Sequence, residues 1–164
     1  MKKTALLFLS LIVLSACTND EGEETNIEPC GGREFMYYSI DGGSKVNIDA
    51  YTGKLLIGQG ADGDAYDIWS DDNFYLHTST TETGVYQYIV DYHNESGVNL
   101  FIPGIIDPFN AGTTGIDIQF VIEDNGTEVG ECIRITFNGT YNDANGNNHT
   151  ISGELQIQLD IVHQ

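Results

Sequence analysis

Oxygen donors are the side chains this 164-residue chain carries in greatest supply, 25 acidic residues against six Lys and Arg. Two stretches space them as a cation site would. Asp62, Asp64 and Asp67 read D-x-D-x-x-D, with Asp71 and Asp72 just beyond. Asp143, Asn145 and Asn147, with Glu154 at the twelfth position, imitate an EF-hand loop. Calcium takes roughly six to eight oxygen ligands, and alternate loop positions supply them. The second stretch has two faults: Asn148 stands where the loop needs glycine, and Ile151–Leu155 alternates like a strand. Plain hairpin turns explain both stretches as well, because Asp, Asn and Gly stabilise chain reversals. Calcium is the one possible cofactor these residues suggest.

Aromatic residues offer a second chemistry. Tyr66, Trp69 and Tyr75, with Phe74 beside them, could form a stacking platform for sugar rings. The competing reading buries them, since the lone Trp of a β-sandwich usually sits in the core. Tyr86, Tyr88 and Tyr92 form a further stripe open to the same two readings. The histidines His77, His93, His149 and His163 are scattered, with no H-E-x-x-H pairing. The chain also lacks a G-x-S-x-G elbow, a phosphate-binding G-x-x-x-x-G-K and a redox C-x-x-C. A hydrolase working through paired carboxylates stays open, because 25 acids hide any such pair. No catalytic residue can be assigned.

The first seventeen residues decide where this chemistry is displayed. Lys2 and Lys3 precede the apolar run Ala5–Leu14, which is too short for a finished transmembrane helix and has h-region length. Leu14-Ser15-Ala16-Cys17 follows, and it resembles the lipobox of bacterial lipoproteins. The resemblance implies removal of residues 1–16, lipidation of Cys17 and a membrane anchor, for which two or more acyl chains suffice. Residues 17–33 then form the lipidated cysteine and an acidic tether, too polar to bury anything and expected to be disordered. Acidic residues soon after the cysteine (Asp20, Glu21, Glu23, Glu24) resemble the export signal of Bacteroidetes lipoproteins. That implies an outer-membrane lipoprotein on the cell surface, the alternative being a periplasm-facing one.

Without residues 1–16 the chain keeps Arg33, Lys45, Lys54 and Arg134 against all 25 acids, a net charge of −21. Such a surface repels nucleic acid. With Cys17 taken by lipid, Cys30 and Cys132 remain as a pair in an oxidising compartment, which reads as a disulfide. It would close a loop of about a hundred residues, worth about 4–5 kcal/mol.

From residue 34 to 164 the sequence reads as one domain of about ten short strands punctuated by turns. The expected strands include Glu34–Ile40, Lys45–Tyr51, Leu55–Gly60, Ala65–Ser70 and Phe74–Thr78. Gly84–Tyr92, Ile116–Glu123, Glu131–Tyr141 and Thr150–Val162 complete them. Thr52-Gly53-Lys54 and Asp124-Asn125-Gly126 read as tight turns, and Pro103–Gly115 as a crossover between sheets. In the last strand Ile151, Leu155, Ile157, Leu159 and Ile161 should face inward. The fold class is all-β, an antiparallel β-sandwich, with a closed or partly open barrel as the alternative.

The ending F-N-G-T-Y-N-D-A-N-G-N-N-H-T-I-S-G resembles a hairpin theme of small β-rich Bacteroidetes lipoproteins. The resemblance covers the anchor and about thirty C-terminal residues, and it implies an envelope domain with no catalytic residues to transfer. Taken together, the sequence favours a binding module for a glycan or an envelope protein. The rival readings are the carboxylate hydrolase and an immunity or inhibitor lipoprotein.

Overall fold

The computed structural model describes residues 29–91, 94–107 and 112–163. Residues 1–28 lie outside the described residues, and the signal-peptide, lipobox, tether and export-signal expectations lie there with them. Among the described residues there are eleven strands: β1 Phe35–Ile40, β2 Val46–Asn47, β3 Tyr51–Gly60, β4 Gly63–Ser70, β5 Tyr75–Thr78, β6 Gly84–Gln87, β7 Val98–Phe101, β8 Thr114–Asn125, β9 Cys132–Asn142, β10 Asn148–Gln158 and β11 Ile161–His163. One sheet has the order β2-β1-β10-β9-β8-β6, the other β11-β3-β4-β5-β7. Strand pairs are antiparallel apart from β11, which runs parallel to β3. The result is the expected β-sandwich rather than a closed barrel.

Period-two alternation builds the core. Ile118, Phe120 and Ile122 on β8, Ile133, Ile135 and Phe137 on β9, and Ile151, Leu155 and Ile157 on β10 point inward from the first sheet. They meet Leu55, Tyr66, Ile68, Leu76 and Leu100 from the second. Each fully buried large side chain contributes roughly 1.5–3 kcal/mol, which makes this layer the main stabilising term. Gly153 is required in it, because a Cβ there would lie 2.2 Å from the Phe137 ring and 2.7 Å from the Tyr37 carbonyl.

The disulfide is present: Cys30 is bonded to Cys132 with Cα atoms 5.1 Å apart and a sequence separation of 102. Gln156 reinforces it by donating through Nε2 to the carbonyls of Cys30 and Arg33. The entry of the chain is thereby fixed to the outer face of the first sheet.

Several expectations need correction. The strand expected over Lys45–Tyr51 shrinks to β2, because Ala50 takes a φ of 52° and turns the chain. Val46 pairs with Tyr38 and the Ile48 N–H donates to the Met36 carbonyl, so the two share the core-side face as expected, Ile48 buried and Val46 exposed at the sheet edge. Thr52-Gly53-Lys54 is strand interior, not a turn. Gly53 belongs there because a Cβ would meet the Gln158 carbonyl and Ile157 Cδ1 at 3.0 Å.

The expected strand Gly84–Tyr92 pairs only as far as Gln87. Beyond it the Tyr88 N–H donates to Ile118 of the first sheet, and the Ile89 N–H donates to Val98 of the second. The segment is a crossing between sheets, which leaves Val90 exposed; Tyr92 lies outside the described residues. Asn125 still pairs with Ile133, so the expected Asn-Gly turn is instead a loop over 126–131. The Glu131 carboxylate closes that loop by accepting the N–H groups of Thr127 and Glu128. Ile161 is 41% exposed, because the chain breaks after Gln158 and crosses to the edge of the second sheet. Val98–Phe101 is a strand that the sequence reading passed over.

Candidate functional site

The alternation that fills the core leaves every second residue of β3, β4, β5 and β7 on the outer face of the second sheet. Cross-strand register sorts these residues into two rows. Thr52 pairs with Trp69, Trp69 with Tyr75, and Tyr75 with Phe101. All four are half-buried. Three aromatic side chains thus stand on three adjacent strands, about 4.8 Å apart from strand to strand. The second row runs parallel to it: Lys54, Asp67, His77 and Asn99.

The second row holds the first in place. The Tyr75 hydroxyl donates to Asp67 Oδ1 at 2.7 Å, and His77 Nδ1 lies 2.6 Å from the same oxygen. The Tyr75 and His77 rings stack with centroids 6.4 Å apart and planes inclined by 21°. Burial raises the Asp67 pKa, but hydrogen bonds from His77 and Tyr75 outweigh it and hold the carboxyl below its ordinary range. Asn99 is fully buried and donates to the Ile89 carbonyl, so the sheet-crossing segment covers this end of the second row.

Of the residues proposed as a platform, Trp69 and Tyr75 are neighbours in the row. Tyr66 is not. It points into the core, fully buried, with its hydroxyl donating to the Gly126 carbonyl. Strand parity is the reason, since residues three apart on a strand face opposite ways. Phe101 is the member that sequence reasoning missed. Its signal was weak: a four-residue strand reveals its face only through pairing with β5.

The two acidic stretches are tied into turns. Asp62 accepts weakly from Ser79 Oγ at 3.4 Å, and Asp64 Oδ1 accepts the Gly58 N–H at 2.8 Å. Asp67 sits up the strand, committed to Tyr75 and His77. At the other stretch the Asp143 carboxylate accepts the backbone N–H groups of Asn145 and Asn147 at 2.9 and 2.8 Å. The side-chain amides of Asn147 and Asn145 donate to its second oxygen. These donors, Asn147 first, hold Asp143 far below the ordinary carboxylate range. In this arrangement Asn145 and Asn147 present nitrogen, not oxygen, to the loop's carboxylate. Among the described residues no three His, Cys, Asp or Glu side chains converge as metal ligands would.

No protein family, curated protein or solved structure matches the chain.

Proposed function

We propose that the protein is a lipid-anchored envelope lipoprotein whose β-sandwich binds a glycan on the outer face of its second sheet. The lipobox and the acidic tether motivate the location. One observation carries the binding reading: Trp69, Tyr75 and Phe101 stand in register on a single face, half-buried, with the Tyr75 ring held by Asp67 and His77. Flat apolar rings offer a sugar ring a surface to stack on. Holding them in advance lowers the ordering cost of binding.

Chemistry on the bound sugar has less support. Asp67, the carboxylate nearest the row, accepts from two neighbouring side chains and so serves the platform. The test is affinity electrophoresis of residues 17–164 through gels containing different polysaccharides. At least one should retard the native protein, and Trp69→Ala with Phe101→Ala should abolish the retardation without loss of the folded state. Equal retardation of the double variant would refute the site.

A further inference from the structure

We infer that the row takes an uncharged glycan lying across the strands, with about three pyranose units against the protein; this rests on the glycan reading above. Direction comes from the register. The aromatic side chains follow one another from β4 to β5 to β7, perpendicular to the strands. Their spacing, about 4.8 Å per strand, is close to the span of one unit in an extended pyranose chain. The row is also bounded. Beyond Trp69 its next member is Thr52, and beyond Phe101 the sheet ends, since β7 is the edge strand. Three rings therefore meet three units, and further units extend past the platform.

The charge preference comes from the rim. The Asp71 N–H donates to the Ala50 carbonyl, which brings the turn holding Asp49 beside the turn holding Asp71 and Asp72. All three carboxylates are exposed, next to the end of the strands where Thr52 and Trp69 stand. Lys54 is the one Lys or Arg on this outer face among the described residues, and it stands in register with Asp67. The four positions of the aromatic row carry no charge themselves. A uronate or sulfated chain laid on the row would approach the acidic rim with Lys54, already opposite Asp67, as the one cation to offset it, and like charges repel. An uncharged chain meets no such penalty.

The experiment is calorimetric titration of residues 17–164 and of Trp69→Ala with oligosaccharides of one to six units. They are prepared from whichever neutral polysaccharide retards the protein, alongside uronic-acid oligomers of the same lengths. Affinity should rise about tenfold or more from one unit to three and change less than about twofold from three to six. It should be indifferent to salt, and the uronic-acid series should not bind. Binding that weakens about tenfold or more in Trp69→Ala but favours the uronic-acid series, or keeps tightening beyond three units, overturns this inference and leaves the glycan reading intact. Binding of undiminished affinity in Trp69→Ala, or no binding at all, overturns both.

Discussion

The two outward faces of the sandwich arise from one alternation and use it differently. On the first sheet the long side chains are tied to one another. Lys45 Nζ lies 3.6 Å from the Tyr37 ring centroid, and the Tyr37 hydroxyl donates to Glu154 at 2.7 Å. Arg134 stands between Glu154 at 2.7 Å and Glu123 at 3.2 Å. Around them lie Thr136, Asn138, Thr140 and Ser152, which water solvates well. On the second sheet Asp67 and His77 stand in the row beside the half-buried aromatic residues and fix the Tyr75 ring. On one face the hydrogen bonds link polar and charged side chains to one another; on the other they fix the Tyr75 ring. An outer face that is merely solvated needs no buried histidine and half-buried aspartate beside a tyrosine.

The largest effect expected is on stability, from the first face. Cys132 shares that face with Arg134, and removing the disulfide frees a loop of about a hundred residues. Cys30→Ser with Cys132→Ser should cost about 4–5 kcal/mol in urea unfolding. The glycan affinity of the folded fraction should not change, since the aromatic row is on the other sheet. A parallel loss of affinity would mean the two faces are coupled.

Trp69→Ala should lower glycan affinity about tenfold or more. Tyr37→Ala, an aromatic removed from the first face, should leave affinity unchanged in the same titration. If the two variants lose equal affinity, the distinction between the faces fails. A smaller change is expected at Arg134. Its side chain is 39% exposed and its partners Glu123 and Glu154 are 37% and 20% exposed. Arg134→Met should therefore cost no more than about 1 kcal/mol, less at high salt.

The smallest effect lies at the end of the first sheet. His149 Nδ1 is 2.7 Å from Asp41, and Nε2 is 3.5 Å from Asp143. The Asp41 hydrogen bond, aided by Asp143, raises the His149 pKa, while the bond from His149 and the Thr150 N–H lower that of Asp41. The raised imidazolium contributes stability that is full below its unfolded value, about 6.5, and is lost as pH rises through the folded value. The depressed carboxylates act oppositely, losing their contribution as pH falls below the ordinary carboxylate range. The melting temperature of the native protein should thus exceed that of His149→Gln in mildly acidic buffer. The gap should close as pH rises past about 6.5. A gap that widens with pH would contradict the assignment.

Long strands with strict alternation were legible from sequence. Ile133, Ile135, Phe137 and Tyr141, and Ile151, Leu155, Ile157 and Leu159, are buried as their spacing requires. The disulfide was legible from the cysteine count and the compartment expected from the leader. What failed depended on partners distant in sequence. Gly53 resembles a turn residue until Ile157 and Gln158 are seen against it, and Ile161 continues the pattern of β10 although the chain has changed sheets. The site was half legible. Parity alone sets Tyr66 apart from Trp69, whereas joining Trp69 to Tyr75 and Phe101 requires the register of three strands.

Trp69 is the single tryptophan of the chain, so its emission reports on the row alone. The most direct test is to follow that emission, and its quenching by acrylamide, while titrating a neutral oligosaccharide of three or more units. Ligand on the row should shift the emission to shorter wavelength and shield the indole from acrylamide, saturating at the concentration that calorimetry gives for binding. Binding seen by calorimetry with Trp69 emission and quenching unchanged would place the glycan elsewhere and contradict the account.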